Sequence, residues 1–314
     1  MFLSSRSTLL AAVAAAVGLG LAPVTHADLA PVFEADFSGA GTGTGAGNIV
    51  QSGGTATIVN ANATASIVTG TNLAGGPGGY LNIVETGTNA VGTGASLVPT
   101  AAANGITSWW SQYGSGSGGA DNTINGSFDY FYSVNQASNN WGNMTSQPIN
   151  DTPGQFGINI QSQPNGFQFF VHANSTFVSA GNWNSTGFNG SIGLAANTLI
   201  HIAGVVSTDQ TSGDVTATLY AVTGNTAITP GTTSVFATAT STAPFTATTN
   251  ASTNFIFGDE NWSTSPTQTE QFDQFRIYNG TPANFSALPI PEASAFGLMA
   301  LGGLVLLLPR RKRA

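Results

Sequence analysis

The chain has 314 residues, of which 41% are hydrophobic and only 6% charged, and its formal charge is −8 at neutral pH. Residues 28–290 hold thirteen acidic residues against a single cation, Arg276, a formal charge of −12 that repels phosphate backbones and anionic headgroups and so excludes nucleic acid and peripheral membrane surfaces as partners. With no cysteine anywhere, disulfides and thiolate chemistry are excluded too, and stability must come from a buried core, for which 19 phenylalanines supply the means.

At the amino terminus Arg6 precedes an apolar run from Leu9 to Leu21, followed by Thr25-His26-Ala27 with small residues where a signal peptidase reads. This pattern predicts a secretory signal over residues 1–27, removed by signal peptidase, with the mature chain beginning near Asp28. The run is too short for a spanning anchor. The stretch from Gly39 to Gly47 is glycine-rich, but it leads into Asn48-Ile49-Val50 rather than a helix, so it is no phosphate-binding loop. Gly114 to Gly119 reads as a flexible loop within one domain.

From residue 128 onward the pattern is period two. Phe128, Tyr130, Tyr132 and Val134 share one face of a strand, and Phe156, Ile158 and Ile160 alternate with Gly157, Asn159 and Gln161. Segments 167–172, 199–206, 215–222, 254–258 and 272–279 behave likewise, each bounded by Gly, Asn, Pro or Ser. No amphipathic helix interrupts them. The expected fold class is all-β, an antiparallel β-sandwich over residues 28–287.

Three tryptophans stand beside asparagine: Asn140-Trp141-Gly142-Asn143, Asn182-Trp183-Asn184 and Asn261-Trp262-Ser263. A ring on a polar loop can stack on a sugar face while amides bond its hydroxyls, so Trp141, Trp183 and Trp262 are candidate carbohydrate-binding residues; the competing reading folds each ring over the sandwich edge.

Asn197 to Val206, a turn at Thr211-Ser212-Gly213-Asp214, and Val215 to Tyr220 resemble the central hairpin of laminin-G-like (concanavalin A-like) jelly rolls. That family continues with a strand like Asn254-Phe255-Ile256-Phe257-Gly258 and ends with one like Phe272 to Asn279, in the same order as here; the aromatic that usually precedes the position of His201 is Ile200 in this chain. The resemblance covers about residues 197–285 and implies a jelly roll.

Because concanavalin A-like folds include glycoside hydrolases, paired carboxylates were sought. A retaining site needs two at about 5–5.5 Å, hence alternate residues on one strand. Glu270 and Asp273 have odd spacing and fall on opposite faces of a regular strand, so the chain is expected not to be an enzyme, its acids being solvated surface groups. A glycoside hydrolase remains a remote alternative. Zinc is not expected with two histidines, His172 and His201, in the mature chain and no cysteine. No cofactor is expected, apart from calcium as a weaker candidate: Asp36, Asp259, Glu260 and Asp273 lie near strand ends, hard oxygens suit that ion, and some laminin-G-like modules carry it at such a rim. The run from Asp121 is not an EF-hand loop, having Thr123 at its third position and Tyr132 at its twelfth.

The carboxyl terminus has three parts: Pro289-Ile290-Pro291-Glu292-Ala293-Ser294, an apolar run to Leu308, and the basic stop Arg310-Arg311-Lys312-Arg313. Cations beyond an apolar run stay cytoplasmic. Counted from Ala293 the run is about 24 Å long as a helix, against a hydrocarbon core of about 30 Å, so it suits a transient anchor. A plain tail anchor is the competing reading.

This order resembles the PEP-CTERM sorting signal of Gram-negative bacteria, with Pro291, Glu292 and Ala293 as the motif; the family's second proline is Ala293 here. The resemblance implies residues 288–314 as a sorting segment with a short transmembrane helix, recognised by an exosortase after export, with the inner membrane as a transient partner. The expected product is a non-catalytic protein of the cell surface or extracellular matrix, associated with exopolysaccharide and biofilm. A carbohydrate-binding module is the alternative.

Overall fold

The computed structural model describes residues 29–31, 33–38, 48–49, 56–61, 64–84, 94–99, 125–135, 144–147, 156–163, 166–173, 176–180, 196–209, 214–240, 254–258, 269–278 and 280–290. Sixteen strands run through them: β1 (Phe33–Ala35), β2 (Asn48–Ile49), β3 (Ala56–Ala61), β4 (Thr64–Thr69), β5 (Gly79–Val84), β6 (Gly94–Pro99), β7 (Asn125–Val134), β8 (Met144–Gln147), β9 (Phe156–Gln163), β10 (Gly166–Ala173), β11 (Thr176–Ala180), β12 (Ile200–Thr208), β13 (Val215–Thr223), β14 (Ala237–Thr240), β15 (Asn254–Gly258) and β16 (Thr269–Tyr278). No helix occurs among the described residues, and none of them forms a helix long and apolar enough to cross a membrane.

The strands make two antiparallel sheets. The first runs β14-β13-β12-β7-β16-β5-β4, with β1 also paired to β16; the second runs β11-β10-β9-β8-β15-β6-β3-β2. The chain therefore passes between the sheets repeatedly. The hairpin expected from residues 197–220 is present, with β12 and β13 in register from Ile200↔Thr223 to Thr208↔Val215, and the Asp209 amide donates to the Asp214 carbonyl across its turn.

Alternation builds the interior. Phe128, Tyr130, Tyr132 and Val134 of β7 are all buried and point at the second sheet. There Phe128 meets Phe169 edge-on at 5.4 Å and Tyr132 meets Phe167 at 6.1 Å. Phe257 of β15 closes the other half, with Phe272 at 5.1 Å, Phe275 at 5.4 Å and Phe37 at 6.3 Å. Two facing sheets joined by these rings are a β-sandwich, as expected. Each fully buried ring contributes on the order of 1.5–3 kcal/mol by leaving water.

Two local departures matter below. Gly204 lies directly under Phe128, and a Cβ there would stand 2.4 Å from the ring. Gly204→Ala is therefore expected to displace a ring wedged against Phe169 and to lower stability by about 1–3 kcal/mol, read as a fall in the urea midpoint; an unchanged midpoint would show that the ring moves freely. In β16 the register on β7 shifts between Asp273 and Arg276, where Gln274 has a φ of 48°. This bulge lets Phe272 and Phe275 both face the interior, and it falls where the neighbour of β16 changes from β5 to β1.

Candidate functional site

Strand β7 is buried on both faces. On the outer side Asp129 and Phe131 are 0% exposed, because residues 224–236 and 280–290 fold across the first sheet. These two segments meet in an antiparallel bridge: Ile228 N–H donates to Phe285 O at 3.0 Å, and Phe285 N–H donates to Ile228 O at 2.8 Å. Beneath it lies a small apolar cluster of Ala203, Tyr220, Ile228, Tyr278 and Phe285.

Under this cover sits a charge cluster drawn from three neighbouring strands. Asp129 of β7 accepts from Arg276 of β16, Nε donating to Oδ1 at 3.0 Å and Nη2 to Oδ2, and from His201 Nε2 of β12 at 2.8 Å. Arg276 Nη2 also donates to the Ser286 carbonyl at 2.7 Å. His201 stacks on Phe131 at 4.0 Å, and its Nδ1 lies 2.7 Å from the Thr226 carbonyl. Burial works against the Arg276 charge, but the Asp129 carboxylate outweighs it and holds the guanidinium pKa above its ordinary value. Burial also pushes up the Tyr278 hydroxyl, and Asp129 adds to the effect. Glu34, opposite Arg276 on β1, is raised by burial with Arg276 opposing. The cluster fastens three strands and the segment that crosses them, and it is closed to solvent.

A second polar group lies at the rim, around the turn at residues 70–78. Asn72, 4% exposed, organises it: Oδ1 accepts from the amides of Ala74 and Gly76 at 2.9 and 2.8 Å, and Nδ2 donates to Pro77 O at 3.2 Å. Asp273, 2% exposed, anchors the turn through Oδ2, which accepts from Leu73 N–H at 2.8 Å. Burial raises the Asp273 carboxyl to about 7; the Leu73 and Gln274 amides oppose this, and Asp36 nearby pushes it further.

The turn in its place holds the carboxyl-terminal segment. Asn72 Nδ2 donates to Pro289 O at 2.6 Å, and a Cβ on Gly76 would stand 1.9 Å from that oxygen, so only glycine permits the approach. One residue earlier, Asn225 grips Leu288 from both sides: Leu288 N–H donates to Oδ1 at 2.7 Å and Nδ2 donates to Leu288 O at 3.0 Å. At the other end Ser127 Oγ donates to Gly280 O at 2.6 Å. Residues 280–289 thus form a strap whose carbonyls are taken by four separate elements. Phe285 and Leu288 are buried, whereas Ile290 is 62% exposed.

Of the candidate site residues, Asp36 and Asp273 fall among those described, and Asp36 lies near enough to act on the Asp273 carboxyl. Asp259, Glu260, Trp141, Trp183, Trp262, the motif Pro291-Glu292-Ala293, the basic stop at 310–313 and the signal at 1–27 lie outside the described residues. No group of three metal-ligating side chains occurs among the described residues. The expectation of solvated acids is corrected. Asp129, Glu270 and Asp273 are buried and each is hydrogen-bonded, with Tyr132 O–H donating to Glu270 Oε1 at 2.7 Å, although for Asp273 burial outweighs its partners. Glu270 faces the interior with Tyr132 while Asp273 reaches the Leu73 amide, so the two carboxyls do not converge. Sequence reasoning passed over Asp129 and weighed His201 only as a zinc ligand. The signal was an acid inside an aromatic strand and a histidine inside an apolar one, in a domain with one arginine, itself in a strand.

No family model matches the chain, and no curated protein matches it in sequence. Among solved structures it is similar to the binding domain of botulinum neurotoxin serotype C1, at 12% identity over 81% of this chain and 49% of that one, with a TM-score of 0.44. It is similar to the receptor-binding domain of the C/D mosaic serotype at 10% identity, over 88% and 52%, with a TM-score of 0.43. A carbohydrate esterase from the Shiga toxin-encoding bacteriophage phi24B matches at 12% identity, over 81% and 100%, with a TM-score of 0.41. The chain spans about half the length of the toxin domains it matches. Likeness this remote assigns no activity.

Proposed function

We propose that the protein is an exported, non-catalytic component of the cell surface or extracellular matrix, processed at its carboxyl terminus by an exosortase and associated with exopolysaccharide, on a laminin-G-like jelly roll. The observation that carries this reading is the strap: the sandwich holds its own chain up to Pro289 and releases it at exposed Ile290, one residue before the Pro291-Glu292 motif. In sequence the motif follows directly on the last held residues and precedes the apolar run. A non-catalytic role is supported by the use made of the acids, since Asp129, Glu270 and Asp273 are engaged in holding the fold together. The Asn-Trp segments at 141, 183 and 262 are the proposed polysaccharide contacts.

Mass spectrometry of the mature protein from its native host is expected to find a carboxyl terminus between Pro291 and Ser294, and Glu292→Ala is expected to leave uncleaved precursor in the inner membrane. An intact end through Arg310 to Ala314 would make the tail a plain anchor and remove the sorting reading. Retention of the secreted domain on matrix polysaccharide, lost in Trp183→Ala or Trp262→Ala, tests the partner.

A further inference from the structure

We infer that the sandwich itself sets the carboxyl-terminal processing boundary of its chain, residues 285–289 being a docked stop that a protease cannot enter, so that cleavage is confined to the residues from Ile290 onward. The inference rests on the proposed sorting role for its meaning in the cell, but the stop is a property of the folded domain alone.

A protease takes its substrate as an extended segment with free backbone groups, because main-chain hydrogen bonds supply much of the recognition. From Phe285 to Pro289 most of those groups are already engaged, and Gly280 is held at the far end. Gly280 O is taken by Ser127, Phe285 N–H and O by Ile228, Ser286 O by Arg276, Leu288 N–H and O by Asn225, and Pro289 O by Asn72. The contacts fall on the main chain, with Phe285 and Leu288 as apolar anchors, so residues 285–289 must open locally before a bond among them can be cut.

The last two clamps are built differently from the rest. Asn225 mimics a strand partner with its side chain, and Asn72 is fixed by its own turn before it reaches Pro289. Gly76 leaves room for that carbonyl and for nothing larger. After Pro289 the hold ends: Ile290 is a large apolar side chain left 62% exposed. A cut there adds one water across a peptide bond, leaving a new carboxylate on the domain and a new amine on the released segment, and it disturbs none of the clamps. The processed domain keeps its strap.

The test uses the full chain, purified in detergent from a host without an exosortase and digested briefly with proteinase K, with the carboxyl end of the resistant core read by mass spectrometry. In the wild type that end is expected at Pro289 or Ile290. In Asn225→Ala and Gly76→Ala it is expected to retreat towards Gly280, with residues 281–289 lost about tenfold faster, as the loss of one or two hydrogen bonds predicts. Asn225→Asp keeps the acceptor for Leu288 N–H and loses the donor, so an intermediate rate is expected; circular dichroism identifies the variants that stay folded, and this mildest one serves if the others do not. A wild-type core ending before Phe285, or a folded Asn225 variant with an unmoved boundary, would overturn the stop. A core ending at Pro289 or Ile290 in the digest, combined with an intact Arg310 to Ala314 end in the native host, would sustain the stop and sink the sorting role.

Discussion

Asp129→Ala is expected to lower the stability of the domain by about 3–5 kcal/mol, since it leaves Arg276 and His201 buried side by side without the carboxylate that both address. Against a typical total of about 5–15 kcal/mol, that is a large share. The loss arises chiefly from the charge left behind. Replacing Asp129 and Arg276 together by apolar residues of similar volume is accordingly expected to cost much less than Asp129→Ala alone. Urea unfolding followed by circular dichroism would measure both. An Asp129→Ala domain with the wild-type midpoint would mean that the cluster holds nothing together.

The second large effect depends on pH. In the unfolded chain Asp273 titrates near the ordinary 3.8, whereas burial raises it to about 7 in the fold. Between these values the native state binds more protons than the unfolded state, so stability falls as pH rises from about 4 to about 7 and then levels off. Asp273→Asn keeps an oxygen to accept from Leu73 N–H and removes the titration. The variant should therefore match the wild type near pH 4 and exceed it above pH 7, by at most about 4 kcal/mol. Urea midpoints taken from pH 4.5 to 8 would decide it, and parallel profiles for the two proteins would refute the assignment. The turn that Asp273 anchors also holds Pro289, so strap protection should weaken over the same range.

Much of the sandwich was legible because its strands are half-buried and aromatic. Segments read at 199–206, 215–222 and 254–258 lie at Ile200–Thr208, Val215–Thr223 and Asn254–Gly258. The face assigned to Phe128, Tyr130, Tyr132 and Val134 is the interior one. The strands before residue 100 were not read, since segments such as Ala56–Ala61 and Gly94–Pro99 mix Ala, Thr, Asn and Gly without a contrast for periodicity to register. Alternation also assigns Asp129 to a solvated face. What covers that face comes from segments far away in sequence, and the strap, with its small residues and prolines, has no period of its own. The bulge left a trace: Phe272 and Phe275, three apart, cannot share the face of a regular strand, yet both are interior.

Strand β16 occupies the middle of the first sheet, between β7 on one side and β5 with β1 on the other. Until residues 269–278 have been made, that sheet exists only as three pieces with no common edge, β14-β13-β12-β7, β5-β4 and β1 alone, two of them near the start of the chain. The domain therefore cannot close as it emerges; it must wait for nearly its whole length, and pairings such as Phe33↔Ile277 are of the kind that form slowly. For the export proposed above this delay would be an advantage, because a partly made sandwich has no stable form in which to jam a channel. The same delay leaves the inner edges of β7 and β5 unpaired in the meantime, which makes the unfinished chain dependent on being kept apart from its copies.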